Sequence, residues 1–223
     1  EMAIIIRAGL KDMMEDKKDC FYYITAMNEN YAHPPMPEDV EEGVLKGAYL
    51  LRESQKNSEH RVQLMGSGTI LREAERAAQL LEKEWSVAAD VWSATSFTEL
   101  AREGYDCERE NRLHPEAKPK KAFITQLLEA REGPVIAATD YIQAYPDQIR
   151  RFVPGRYVTL GTDGYGRSDT RAALRRFFEV DAEHITVAAL NALAEDGKID
   201  ASVVAKAIKQ YGIDADCAAP ITR

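Results

Sequence analysis

The 223-residue chain carries 29 basic and 37 acidic side chains, a formal charge of −8, with 45% apolar and 30% charged residues. This describes a soluble globular protein of one large domain, or one domain with an attached piece, and its acidity speaks against a nucleic-acid or anionic-membrane surface. Every apolar run stays well short of the roughly 20 residues of a membrane helix, and the three scattered cysteines, Cys20, Cys107 and Cys217, fit a reducing cytoplasm better than a disulfide framework.

The first element is helical: in "MAIIIRAGLKDMMEDKKD" the residues Ile5, Ile6, Gly9, Leu10, Met13 and Met14 recur at helical spacing. "AIII" is too short and too soon followed by charge for a signal peptide, and the missing capping residue reads as a helix cut from something longer. "CFYYITA" (20–26) is aromatic and β-branched, the composition of a buried strand. The proline-rich, acidic stretch 27–43 has no periodicity and reads as a linker, with "GAYLLRES" (47–54) as an edge strand beyond it. Strand and helix signals then alternate. Strands are expected in 61–68, 88–97, 133–140 and 156–162, and helices over 69–85, 98–113, 122–131 and 147–153. Three more helices follow at 169–178, about 182–194 and about 200–211. Short apolar strands alternating with helices predict an α/β fold, a doubly wound and mostly parallel sheet with helices on both faces.

Few motifs carry chemistry of their own. "MGSGTILREA" (65–74) stands where a dinucleotide fingerprint would, but the position of its third glycine is Leu71. Gly66 and Gly68 remain compatible with an anion at a helix terminus, so a stand-alone nucleotide or anion binder stays open, as does a scaffold domain without a ligand. "GTDGYGRSDTRAALRRFF" (161–178) has no Gly-Lys-Ser/Thr and reads better as a capped turn, Ser168 being the N-cap beside Asp169. A calcium loop centred on Gly197 fails, because its first, third and twelfth positions are Ala192, Ala194 and Val203. The histidines, His33, His60, His114 and His184, are scattered and do not form a zinc pattern. No Gly-x-Ser-x-Gly elbow exists either.

Several stretches taken in order resemble one family. They are "YYITAMNENY" (22–31), "MPEDVEEGVLKG" (36–47), "LMGSGTILREAERAAQLL" (64–81), "VWSATSFTELAREGYDCERENRLHP" (91–115), "AATDYIQA" (137–144), "LGTDGYGRSDTR" (160–171) and "FEVDAEHI" (178–185). Together they resemble the homodimeric type of the decarboxylating first component of the pyruvate dehydrogenase complex, a thiamine-diphosphate enzyme, and more loosely the transketolases. The resemblance implies three units: 1–36 as the end of a pyrimidine-binding middle domain, 37–58 as a connecting segment, and 59–223 as a transketolase-like C-terminal domain. It implies thiamine diphosphate and magnesium in the parent enzyme. The family's Gly-Asp-Gly and Asn-Asn signature is missing here, so no catalytic, cofactor-binding or metal residue is assigned to this chain. The implied partners are the rest of the same polypeptide, a homodimer partner and the dihydrolipoyl acetyltransferase core, with neither nucleic acid nor membrane. Relatives often place a histidine directly after "NENY", whereas Ala32 stands there and His33 follows. Candidates for an interface or an active-site rim are Asn28, Glu29, Asn30, Tyr31, His33, Asp163, Tyr165, Arg167 and Ser168.

Overall fold

The computed structural model describes residues 1–27 and 30–223. Its centre is a five-stranded sheet of β1 (Ala48–Arg52), β2 (Arg61–Gly66), β3 (Ala88–Ala94), β4 (Val135–Ala138) and β5 (Tyr157–Leu160), in the spatial order β1-β3-β2-β4-β5. The last four run parallel, while β1 lies antiparallel on the β3 edge. Neighbouring residues on the inner strands serve opposite faces, as the pleat requires. Leu64, Val91 and Ile136 enter one core, and Met65, Trp92 and Ala137 enter the other.

Helices cover both faces. On the first lie α3 (Leu71–Glu84), α8 (Ala182–Glu195) and α9 (Ala201–Gln210). Ala74, Ala77 and Ala78 of α3 are fully buried, and their small side chains let the helix sit close to the strands. On the second face lie α4 (Phe97–Leu113) and α5 (Phe123–Leu128), with Leu100, Ile124 and Ile149 fully buried. Burying a side chain of this size contributes about 1.5–3 kcal/mol. Several helices start on hydrogen-bonding caps: the side chains of Ser96, Asp181 and Asp200 accept from the backbone N–H groups of Glu99, His184 and Ser202.

The amino end of the sheet holds a polar cluster with its bonds complete. Asp90, fully buried, accepts from Arg61 Nη1 at 2.5 Å, from the Ser54 N–H at 2.9 Å and from Gln63 Nε2 at 3.0 Å. Gln63 in turn accepts from the Trp92 indole at 2.8 Å.

Four expectations need correction. Residues 20–26 form no strand; Phe21 and Tyr23 stand 87% and 86% exposed. Their β-propensity counts only where a neighbouring strand offers a ladder, and the described strands pair among themselves. The stretch 27–43, read as a linker, runs at its end into α2 (Glu41–Lys46), itself ended by Gly47 in the left-handed region at φ 108°. The helix expected over 147–153 is instead α6 (Ala144–Asp147) followed by a 3₁₀ turn at Arg150–Phe152. Finally α7 (Arg171–Phe177) is capped by Thr170, whose Oγ1 accepts from the Ala173 N–H at 3.3 Å, and Ser168 lies outside it. The opening helix α1 (Met2–Leu10) passes into a π turn at Lys11–Glu15. Among the described residues no helix is long and apolar enough to cross a membrane.

Candidate functional site

In a doubly wound sheet the loops at the carboxyl ends of the strands face a common crevice where the strand order reverses. Here the reversal falls between β2 and β4, because β3 lies on one side of β2 and β4 on the other. The β2 strand ends at Gly66, where a Cβ would come within 2.4 Å of Leu71 Cα. That glycine is needed for the chain to turn tightly into α3, which explains half of the "GSG" pattern without any ligand. Beyond it Ser67 Oγ and Thr139 Oγ1 are 2.8 Å apart, and Thr69 Oγ1 donates to Asp140 Oδ2 at 3.5 Å. Burial pushes the Asp140 carboxyl above its ordinary range, opposed by hydrogen bonds from its own backbone and Thr69 and by the charge of Arg175. Thr162 closes the other side, donating through Oγ1 to the Asp140 carbonyl at 2.6 Å.

The 161–168 turn runs on from there toward the end of the chain. Asp163 Oδ2 accepts from the Gln143 N–H at 3.3 Å, tying the turn to the loop after β4. Gly164, at φ 106°, passes the end of the chain, with Ile221 Cα 3.1 Å from where a Cβ would stand. Arg167 lies 4.3 Å over the Phe177 ring and donates to the Arg223 carbonyl, and Arg223 lies 4.6 Å over the same ring. Tyr165 is 91% exposed, and Ser168 is exposed.

The "NENY" candidates fall in a second patch. Asn28 and Glu29 lie outside the described residues, while Asn30 and His33 are exposed. Tyr31 packs under Arg72, whose guanidinium lies 4.4 Å from the ring centroid, and its hydroxyl accepts from Arg175 Nη2 at 3.4 Å. The structure therefore brings Tyr31 to the carboxyl edge, where Asp163 also bonds, while Gly164 and Arg167 pass against the tail. Sequence reasoning missed Arg72, Glu73 and Arg175. Glu73, 4% exposed, accepts from Arg175 Nη1 at 2.8 Å, from Arg76 Nη1 at 2.9 Å and from the Ala182 N–H at 3.1 Å. The signal was present: Glu73 sits on the face of α3 marked by Ala74, Ala77 and Ala78, and an acid there demands a cationic partner.

A diphosphate with magnesium needs several oxygen ligands converging on the ion. Among the described residues no three His, Cys, Asp or Glu side chains do so. The crevice offers paired hydroxyls and one carboxyl that burial shifts above its ordinary range. Those hydroxyls are engaged with one another and with Asp140, a donor set that does not suit a diphosphate.

Residues 47–181 match the family described as the transketolase-like TK C-terminal domain, and residues 1–34 match the pyruvate dehydrogenase E1 component middle domain. The pyruvate dehydrogenase E1 component of Pseudomonas aeruginosa is 55% identical over 222 residues, covering 99% of this chain and 25% of that protein. Those of Escherichia coli K12 and Mycobacterium tuberculosis are 50% and 49% identical, covering 97% and 99% of this chain and 24% of each relative. The chain thus spans about a quarter of the length of the curated relatives it matches. Among solved structures, a Pichia stipitis transketolase in complex with sedoheptulose-7-phosphate superposes at a TM-score of 0.50 with 18% identity, covering 74% of this chain and 21% of that one. At that identity the likeness speaks for the fold alone.

Proposed function

This chain belongs to the family of transketolase-like C-terminal domains, and from that premise we propose that it is the C-terminal part of a pyruvate dehydrogenase E1 component. The parent enzyme would decarboxylate pyruvate on thiamine diphosphate with magnesium and pass the acetyl group to lipoyl arms of a dihydrolipoyl acetyltransferase core. The observation that carries this reading is the tandem match, a middle-domain end at 1–34 followed by the C-terminal domain from 47, with about half of all residues identical to E1 components along nearly the whole chain. On this reading residues 1–36 end the middle domain, 37–58 connect, and 59–223 form the C-terminal domain. The strand β1, which falls in the connecting segment on these bounds and within the family match from residue 47, is fastened to the sheet through β3.

The residues of this chain pack, orient and join. They hold no proton at a reacting atom. The residues that would hold thiamine diphosphate, which would supply the electron sink for decarboxylation, would lie elsewhere in the polypeptide. The turn at 161–168, with Tyr165 displayed, is offered to a neighbouring domain or to a second copy in a cytoplasmic homodimer. Two experiments test the reading. Calorimetric titration of this chain with thiamine diphosphate and magnesium should give flat heats. The full-length gene product should reduce an artificial acceptor with pyruvate, in the presence of both, and acetylate a lipoyl domain. Preference for 2-oxoglutarate, or for a sugar phosphate, would refute the assignment.

A further inference from the structure

Residues 21–27 and 30–39 run outside the helices and the sheet, and side chains fasten them to the domain at a few points. Tyr141 Oη donates to Thr25 Oγ1 at 2.7 Å. Arg72 stacks on Tyr31 and its Nη1 donates to the Ala32 carbonyl at 3.2 Å, while Arg175 donates to the Tyr31 hydroxyl. Arg175 is itself pinned, because its other nitrogen is bound to buried Glu73, which Arg76 and the Ala182 N–H hold in turn. The anchors share an origin. Tyr141 follows β4, Arg72 opens α3 after β2, and Arg175 lies on α7 after β5, so all three come from the connections leaving the carboxyl edge.

A guanidinium stacks on an aromatic face and forks its donors in a fixed plane, so one stacked on the ring and one donating to its hydroxyl define both its place and its tilt. Solvated side chains do not need such an arrangement. We infer that Arg72 and Arg175 are positioning residues that clamp Tyr31 and so fix Asn30–His33 at the carboxyl edge of the sheet. The contacts stand on the structure alone; their consequence for turnover rests on the function proposed above.

Fluorine NMR of the chain labelled with 3-fluorotyrosine reads the clamp directly, Tyr31→Phe assigning the resonance by its loss. The wild-type Tyr31 resonance should lie away from the free amino acid. Arg72→Ala should move it toward the free position, and Arg72→Lys, which keeps a cation over the ring, less far. Arg76→Ala touches Glu73 but not Tyr31 and should leave it in place. A wild-type resonance already at the free position, no movement in Arg72→Ala, or equal movement in Arg76→Ala would overturn the clamp. In the full-length enzyme Arg72→Ala should lower kcat roughly tenfold or more while KM for pyruvate stays within about twofold, the signature of lost alignment rather than lost binding. A released Tyr31 with unchanged kcat would overturn the positioning role. A wild-type enzyme inactive on pyruvate would refute the proposed function instead, and the fluorine spectra would still decide the clamp.

Discussion

Replacing Glu73 by glutamine keeps the volume of the side chain and removes its charge. The cost can be built from its three partners. The bond to Arg175 is between two largely buried groups, 17% and 5% exposed at the side chain; a charge-assisted bond of this kind contributes about 1.5–3 kcal/mol. The Ala182 N–H is buried, and leaving it unsatisfied costs about 1–3 kcal/mol. Arg76 is 56% exposed, so water replaces most of that contact and it adds only about 0–1 kcal/mol. Glutamine retains one carbonyl oxygen, which can satisfy Arg175 or the N–H but not both, and its own amide then faces a donor. We expect Glu73→Gln to lose about 2–4 kcal/mol, which for a chain of this size lowers Tm by roughly 5–15 °C. Urea unfolding followed by far-ultraviolet circular dichroism and by tryptophan fluorescence measures it, coincident curves licensing a single free energy. A loss under about 1 kcal/mol would show that water can take the carboxylate's place, and the reasoning from burial would fail.

The other predictions follow from equally specific contacts. Asp90→Ala leaves Arg61, Gln63 and the Ser54 N–H without their shared acceptor and should cost about 3–5 kcal/mol, read by the same urea curves. At Asp181 burial opposes the charged form, but hydrogen bonds from the His184 ring and N–H, and the charge of Arg176, outweigh it and hold the carboxyl below its ordinary value. A depressed carboxyl stabilises above its unfolded value near 4 and loses that contribution as pH falls through the folded value; Asp181→Asn should therefore flatten the acid limb of the stability curve. Asp140 is shifted the other way by burial, so it penalises folding when ionised, and Asp140→Asn should match or exceed wild-type stability at pH 7 while the two converge as pH falls through its raised value. Tyr165→Ala and Arg167→Ala in the full-length protein should weaken dimerisation, measured by analytical ultracentrifugation; unchanged association and activity would remove 161–168 from any interface.

Much of the fold was legible because each inner strand and its following helix carry a local signal. "RVQLMG" and "AADVWSA" are short apolar runs buried on both faces, and the α3 stripe of Ala74, Ala78 and Leu81 repeats at helical spacing. The misreadings come from places where local preference meets a non-local condition. "CFYYITA" has strand composition but no strand beside it among the described residues. Ser168 and Thr170 are both good caps, local preference does not choose between them, and the helix takes Thr170. The site was less legible because its parts lie far apart in sequence. Tyr31, Arg72 and Arg175 are brought together only by the strand order, though Glu73 on a buried face announced that a cation must approach from somewhere.

The carboxyl edge shows what this arrangement selects against. A phosphate cradle needs donors aimed into open space. Here the Ser67 and Thr139 hydroxyls bond each other, Thr69 is turned onto Asp140, Thr162 onto the Asp140 carbonyl, and the Gln143 N–H onto Asp163. A carboxyl disfavours an anion in the same crevice. The guanidinium groups that could have offset it, Arg72 and Arg175, are directed at a tyrosine of the chain's own preceding segment. The position that a doubly wound sheet ordinarily gives to a ligand is thus chemically furnished for a stretch of polypeptide. That is the arrangement expected where a domain's task is to hold another part of its own polypeptide in place, and it makes Tyr31 a more informative target than any glycine of the two turns.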